Sequence, residues 1–439
     1  MQQYLHLVFL WFGKKPNFIF YKPRIILGFF DSIPMQKKSI DTTLVFLILG
    51  LVIFGMVMIS SVSVYSSFKV TSRMVAAWTL WEPQNYFYLL RNIFNVLMGI
   101  SIMVICSKIP YHFFEKFARH IFITGLVFLS LVFVIGTEYN GAKGWIDLPW
   151  LPSLQPVEFM KIGLIIMLAY FLKKRRAMIS DISLGFIPYF FYVGLVFLLL
   201  IFQPDFGSIL ILAPVSIALY YVGWGNIRYI ALAVIVALIG ATGVYTIGKV
   251  LPQTGVGYIS QRIDNFFRSS HDIIESNNRD DKDYQMKQWL IAIGSGWFFG
   301  LGFWKSIQKF GYLPEVQWDF IFSVIVEELW FFGALILILM YLLITYRGFL
   351  IARSVKDPFA RNLALGITIW IFIQASINIG VNLNIVPLTG VTLPFVSYGG
   401  SSLFALMIGV GILLSISRHI EYKPQNLSDI LKAKRRVIF

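Results

Sequence analysis

Asp319 and Glu315 are the residues whose types and spacing best suit acid–base chemistry. Only 13% of the 439 residues are charged, whereas 57% are hydrophobic. Asp319 closes the segment 313–320, which also contains Glu315 and is bordered by aromatic residues. A carboxylate partly withdrawn from water, beside a second negative charge, has the raised proton affinity that a general base requires. We therefore interpret Asp319 as a candidate general base; the alternative is a helix N-cap.

Glu158 and Lys161 form a second candidate site at the start of an apolar stretch. Residues three apart lie on the same face of a helix, so these two side chains can neutralise each other. An ionisable group inside a membrane helix costs about 2.5 to 3.5 kcal/mol on insertion scales, so such groups are candidates for function. Two interpretations remain open. The pair either fixes this helix as a structural ion pair, or Lys161 faces an outward cavity and binds an anionic substrate while Glu158 positions it.

Three further polar places carry weaker signals. Asp205 follows a proline between two apolar stretches, where capping of the next helix explains it. Glu327 and Glu328 are adjacent in a helix and so point in different directions, which favours packing-related hydrogen bonds for at least one of them. The prolines and glycines of 378–402 exclude a plain helix and predict a loop that lines a polar cavity at the membrane surface.

The elements that position these residues are apolar stretches long enough to cross a bilayer. A hydrocarbon core of about 30 Å needs about 20 apolar residues per helix. The fold class is therefore all-α, a polytopic integral membrane protein with about ten transmembrane helices. The predicted spans are 43–65, 86–106, 120–137, 156–172, 183–202, 205–223, 228–247, 320–345, 362–383 and 397–417.

Basic residues indicate the orientation of the spans. One set of alternate loops and the two chain ends hold 24 of the 37 Lys and Arg residues, so the positive-inside rule places both termini in the cytoplasm. The long loop 248–319, before helix 8, is then extracytoplasmic, and its part 289–303 is too short to span and is predicted to re-enter the membrane. Glycines 296 and 300 within it indicate close helix packing.

Three segments follow from this orientation. Residues 1–42 form a cytoplasmic N-terminal segment, of which 1–34 is interpreted as an extension; 43–418 form the transmembrane domain; and 419–439 form a basic cytoplasmic tail. Because the basic residues follow topology rather than forming one patch, the pattern argues against nucleic-acid binding. The five histidines lack the spacing of a structural zinc site.

Several motifs, taken in chain order, resemble the SEDS family (shape, elongation, division and sporulation), the bacterial FtsW, RodA and SpoVE proteins. The resemblance covers about 43–418. The matching motifs are Gly141-Ala-Lys-Gly-Trp-Ile146, Gln155-Pro-Val-Glu-Phe-Met-Lys161, Gln203-Pro-Asp-Phe-Gly207, Tyr284-Gln285, Ser306-Ile-Gln-Lys-Phe-Gly-Tyr-Leu-Pro-Glu315, Asp319-Phe-Ile-Phe322, Glu327-Glu328 and Leu393-Pro-Phe-Val-Ser-Tyr-Gly-Gly-Ser-Ser402.

The resemblance implies an inverting peptidoglycan glycosyltransferase of the bacterial cytoplasmic membrane, which polymerises lipid II into glycan strands on the outer face. The family's essential aspartate falls on Asp319, which would take the proton from the acceptor sugar. The leaving pyrophosphate needs positive charge, which Lys161 or Arg262 would supply. Candidate substrate-binding residues in the matching motifs are Glu158, Glu315, Gln155 and Ser397. A divalent cation, Mg²⁺ or Mn²⁺, is a further candidate, although no carboxylate cluster demands one.

The resemblance also implies partners and leaves alternatives. The family works with a class B penicillin-binding protein, a transpeptidase, and with other division or elongation proteins. The motif 306–315 looks more like the division branch and 387–390 more like the elongation branch; the balance favours division. Val157, Trp318 and Trp330 depart from the family pattern, where Ser, Thr and Gly are usual. The alternative functions are a lipid II flippase, which predicts internal repeats and alternating access, and a non-catalytic scaffold.

Overall fold

A computed structural model describes residues 40–139, 142–147, 153–251, 255–267, 281–295 and 300–420, all within one compact unit. Among these residues, eight helices are long and apolar enough to cross a membrane. The predicted class, a mostly helical polytopic membrane protein, is therefore confirmed. The eight helices are α1 (Thr42–Val62), α3 (Phe87–Lys108), α5 (Ala118–Ile135), α7 (Ile187–Phe202, extended at its start by a π-helical turn, Ile182–Phe186), α9 (Ile227–Val250), α12 (Ile321–Ser354), α13 (Pro358–Asn382) and α14 (Gly400–Arg418).

The other two predicted spans are also helices, but they are less suited to cross a bilayer alone. Helix α6 (Pro156–Lys174) carries four charged residues, and α8 (Phe206–Val222) has only 17 residues. The count of ten spans therefore stays a prediction. The predicted span 320–345 begins where α12 does but ends nine residues early, because the polar residues after 345 continue the helix.

Shorter elements connect the long helices. They are α2 (Val64–Ala76), α4 (Tyr111–Lys116), α10 (Gly255–Phe267), α11 (Asp281–Ser295) and an antiparallel hairpin of β1 (Thr137–Tyr139) with β2 (Ala142–Trp145). This hairpin was not predicted from the sequence. Its strands are too short for an alternating pattern to be recognised in the sequence, and pairing satisfies backbone groups that have no helix to bond them.

Helices α6, α13 and α14 form the centre of the bundle. Most residues of each are buried, around the whole circumference, as expected for helices surrounded by other helices. Helix α14 packs mainly against α3, α13 against α12, and α6 against α5, α13 and α14. Helix α9 lies at the periphery, because only Gly248 among its residues is buried. The central helices thus provide the rigid frame on which the polar residues are placed.

A kink interrupts α12 at Trp330, whose backbone has φ 54° and ψ −157°. The break leaves the carbonyls of Glu327 and Glu328 to accept hydrogen bonds from the amides of Leu301 (3.0 Å) and Gly302 (3.2 Å). Gly300 lies so close to this backbone that an added Cβ would be 2.6 Å from the Glu328 carbonyl. Close packing at Gly300 is therefore confirmed, whereas Gly296 lies outside the described residues.

Candidate active site

Asp319 lies in the turn-rich segment 300–320, two residues before α12 begins. Its amide donates to the carbonyl of Glu315 at 3.1 Å, so the two acidic residues share one turn. Phe320, not Asp319, occupies the N-cap position of α12, and it makes no side-chain cap. The alternative of a helix N-cap therefore does not account for Asp319, whose carboxylate is left for another role.

Two charged neighbours and burial set the proton affinity of Asp319. The pKa of this half-buried carboxyl is raised to about 7, chiefly by withdrawal from water and also by the negative charge of Glu315, while the positive charge of Arg262 opposes the rise. Near neutral pH, Asp319 is thus divided between its charged and protonated forms, the condition in which a general base works best. The structure brings together three residues that the sequence singled out: Asp319, Glu315 and Arg262.

The loop between α13 and α14 forms the opposite wall of this site. Arg262 of α10 donates from Nη1 to the carbonyl of Leu388 at 3.0 Å. Gly390, with φ 66°, lies beside the carboxylate, because an added Cβ would be 3.5 Å from Oδ2 of Asp319. A positive φ favours glycine at this position, and the missing side chain leaves the carboxylate open on this side.

An aromatic cluster borders the site, and it includes the residue that precedes the candidate base. The rings of Tyr88, Trp318 and Tyr398 contact each other edge to face, with centroids 5.3 to 6.1 Å apart. The amide of Tyr398 also donates to the carbonyl of Gln317 at 2.9 Å. Trp318, where the family usually has Thr, is therefore accommodated by two tyrosines from other elements, which hold it in place next to Asp319.

Lys161 and Glu158 are paired deep inside the bundle. Nζ of Lys161 lies 2.7 Å from Oε1 of Glu158, and the lysine side chain is only 2% exposed. Among the described residues, no hydrogen bond or ion pair joins them to Asp319. The second carboxylate oxygen of Glu158 has no hydrogen-bond partner in the part of the chain that is described. Of the two interpretations, this geometry favours the structural ion pair; a contact with substrate remains a prediction.

Gln155 and Ser397 each make a hydrogen bond within the protein. The amide of Gln155 donates to Oγ of Ser401 at 3.0 Å, which joins the starts of α6 and α14. The hydroxyl of Ser397 accepts from the amide of Leu393 at 2.9 Å. Both residues thus order the chain at the starts of α6 and α14, and their contact with substrate stays a prediction.

The other three acidic residues that the sequence singled out make structural contacts. Asp205 caps α8 by accepting from the amide of Ser208 at 2.9 Å, so the capping interpretation is confirmed. Glu327 accepts from the hydroxyl of Ser306 at 2.5 Å, and Glu328 forms a buried ion pair with Lys309 at 2.9 Å. The prediction of packing hydrogen bonds holds for both glutamates.

Sequence reasoning did not assign a role to Lys309, Asn378 or Asn382. Nζ of Lys309 also donates to the hydroxyl of Ser61, a residue of α1 distant in sequence. The amides of Asn378 and Asn382 donate to the main-chain carbonyl of Asp319. Their spacing of four residues is the signal that could have indicated one shared polar face on α13.

The described ranges contain no suitable set of side-chain ligands for a metal ion. There, no group of three or more His, Cys, Asp and Glu side chains is arranged to hold a metal ion. Asp319 and Glu315 are two carboxylates with Arg262 beside them, and a guanidinium competes with a cation for such a place. The described residues therefore form no dedicated site that would hold a divalent cation by itself.

Comparisons with known proteins agree with this architecture. The profile of the FtsW, RodA and SpoVE family, described as cell cycle proteins, matches residues 42–422. Stage V sporulation protein E of Bacillus subtilis is 33% identical over 390 residues, which cover 88% of this chain and 99% of the relative. Probable peptidoglycan glycosyltransferase FtsW of the same organism is 34% identical over 392 residues, which cover 88% and 92%.

Solved structures show the same likeness. A chain from a peptidoglycan synthase complex, studied for the coordination of polymerization and crosslinking, superposes with a TM-score of 0.68 at 25% identity. The rod shape determining protein RodA of Thermus thermophilus superposes with a TM-score of 0.62, also at 25% identity. Each match covers 88% of this chain and 99% of the other. The chain therefore belongs to the FtsW, RodA and SpoVE family of multi-pass proteins of the cytoplasmic membrane.

Proposed function

We propose that this protein is a peptidoglycan glycosyltransferase that polymerises lipid II into glycan strands on the outer face of the cytoplasmic membrane, in cell division or elongation. Its relatives of about one third identity include several named as probable peptidoglycan glycosyltransferases. The observation that carries the proposal is the site of Asp319, which shares a turn with Glu315, lies beside Gly390, and has a carboxyl whose pKa is raised to about 7. A base of that strength suits the activation of a sugar hydroxyl near neutral pH.

In the proposed reaction, Asp319 accepts the proton of the 4-hydroxyl of the acceptor GlcNAc. That oxygen attacks C1 of the donor MurNAc, the new C1–O4 bond forms, and the bond from C1 to the pyrophosphate breaks with inversion at C1. The undecaprenyl pyrophosphate leaves with the bonding electron pair. Concerted removal of the proton matters because a neutral sugar hydroxyl is a weak nucleophile.

Among the described residues, Arg262 is the cation that acts on Asp319 and could receive the leaving group. It acts on Asp319 electrostatically, and Nη1 is directed to the loop that borders the site. A positive charge near the developing pyrophosphate stabilises the transition state in a site of low dielectric constant. Glu315 keeps the proton affinity of Asp319 high, whereas the buried pair of Lys161 and Glu158 fixes α6, which carries Gln155 at its start.

We also infer a crosslinking partner. One structural neighbour comes from a peptidoglycan synthase complex in which polymerization and crosslinking are coordinated. A class B penicillin-binding protein, which would crosslink the strands, is the corresponding candidate for this chain.

The test is the fate of purified lipid II in liposomes that contain the wild-type protein, with and without the partner transpeptidase. We expect glycan strands whose linkage at C1 of MurNAc is inverted relative to the donor, as determined by NMR of the digested product. Transbilayer movement of fluorescent lipid II is measured in the same vesicles. Movement without polymer, in the presence of the partner, would refute the polymerase and support the flippase.

A further inference from the structure

We infer that Asn378 and Asn382 are positioning residues that hold the main chain of Asp319 so that its carboxylate stays at the reacting sugar. This inference rests on the proposed function. Both side chains are buried on α13, with exposures of 1% and 0%. They lie one turn apart, and each donates from Nδ2 to the Asp319 carbonyl, at 2.9 Å and 3.0 Å.

Asn382 caps the first turn of α12. The amide of Ser323, the third residue of this helix, has no carbonyl of the helix four residues earlier to bond, and it donates to the carbonyl of Phe320 at 3.1 Å. Oδ1 of Asn382 also accepts from this amide (3.2 Å) and from the hydroxyl of Ser323 (2.6 Å), while its Nδ2 donates to the carbonyl of Asp319. The carboxamide therefore bridges the two backbone groups, and Asp319 is held just outside the helix rather than within its first turn.

Asn378 links the same carbonyl to the facing loop. Its Nδ2 also donates to the carbonyl of Val391 at 2.7 Å, and Val391 follows Gly390, which lies beside Oδ2 of Asp319. One amide group thus sets the distance between the candidate base and the loop that forms the opposite wall. The carboxylate itself makes none of these bonds and stays available for a proton.

A purely structural role for the two amides makes a different prediction. If they only joined α12 to α13, their loss would lower stability without changing the surroundings of the carboxylate. If they position Asp319, their loss lets the segment move and admits water, so the pKa of Asp319 falls from about 7 toward the ordinary range. The charged groups that act on Asp319, Glu315 of its own segment and Arg262 of α10, are unchanged in such variants.

The experiment compares the full-length wild type with Asn378→Ala and Asn382→Ala, and with Asn362→Ala as the matched control. Asn362 is also buried on α13 but lies near the other end of the helix. In liposomes with lipid II, we expect kcat to fall about 10- to 100-fold in the two test variants, because a misplacement of about 1 Å has that effect. KM changes less than about 3-fold, since binding contacts remain.

A second readout does not depend on turnover. Dicyclohexylcarbodiimide reacts with protonated carboxyl groups, and peptide mass spectrometry gives the labelled fraction of Asp319 at each pH. We expect the midpoint to lie near pH 7 in the wild type and the Asn362→Ala control, and about one unit lower in the test variants. A wild type that labels as expected but forms no polymer would refute the proposed function alone.

Unchanged kcat and an unchanged midpoint in folded Asn378→Ala and Asn382→Ala would overturn the inference. If the alanine variants do not elute as monodisperse protein, Asn378→Ser and Asn382→Ser replace them, because serine keeps one hydroxyl donor. Failure of all four variants to fold would assign the amides to folding and would equally overturn the positioning role.

Discussion

The acid limb of the pH–rate profile, the fall in polymerisation rate at low pH, follows directly from the surroundings of Asp319. With a pKa of about 7, about half of the enzyme carries the base in its active, ionised form at pH 7, about one tenth at pH 6 and about one hundredth at pH 5. The value of kcat/KM should therefore fall about 5-fold between pH 7 and 6, and about 10-fold more by pH 5. An ordinary aspartate would give a flat profile over this range, because it is almost fully ionised at pH 5.

Two substitutions should move this limb in opposite directions. Glu315→Gln removes a negative charge that raises the pKa of Asp319, so the limb moves to lower pH. Arg262→Gln removes a positive charge that lowers it, so the limb moves to higher pH. The position of the limb is the observable, because both residues are also candidates for substrate binding and the height of the profile is expected to change for that reason as well.

The assay measures initial rates of strand formation from fluorescent lipid II, well below KM, between pH 5 and 8.5. Under these conditions the profile reports the free enzyme. Thermal unfolding of each variant at each pH separates lost catalysis from lost protein. A profile that is flat between pH 5 and 8, or limbs that both substitutions move in the same direction, would refute the assignment of the limb to Asp319.

Three further substitutions test other parts of the structure. Lys309→Met leaves the buried Glu328 without its cation, so the free energy of unfolding in detergent should fall by about 3 to 5 kcal/mol. The double variant Lys309→Met with Glu328→Gln should recover much of this loss. If the losses of the two single variants simply add in the double variant, the pairing is contradicted. Trp330→Gly should be more stable than Trp330→Ala by about 1 to 3 kcal/mol, because the backbone angles at 330 lie in a region that glycine favours. This order is the reverse of the usual helix preference, and thermal unfolding of the two variants tests it. Gly390→Ala should reduce the rate of polymerisation more than Gly302→Ala, because both glycines have positive φ but only Gly390 lies beside the candidate base. Equal rates of the two variants in the reconstituted assay would argue against a role of the Gly390 loop in the site.

Hydropathy was enough to predict the long helices, because their lipid-facing and core residues are both apolar. It failed where a residue's partner is remote in sequence. Lys309 bonds Ser61 across 248 residues, and nothing in either local sequence indicates the pair. The kink at Trp330 was likewise not predicted, because the backbone angle there depends on the packing of 300–302 against the helix. The sequence showed only that Trp stands at a place where the family usually has Gly.

The candidate site was predicted in part. Asp319, Glu315 and Arg262 were named from residue type, spacing and family motifs, and the structure brings these three together. Lys161 and Glu158 share a face as their spacing predicts, but only the fold shows that they are buried against each other. The prediction of a loop over 378–402 was wrong for Asn378 and Asn382, which lie in the last turns of α13. Their role needed the position of the Asp319 carbonyl, which no local pattern contains.

The most direct test of the central claim is glycan-strand formation by wild type and Asp319→Asn in one reconstituted system, with the partner transpeptidase present. Asp205→Asn serves as the matched control, because Asp205 caps α8 and Asn caps a helix equally well. We predict strands from wild type and Asp205→Asn, and a rate about 10² to 10⁴ times lower from Asp319→Asn at equal protein and equal lipid II binding. Strand formation by Asp319→Asn at the wild-type rate would contradict its role as the base.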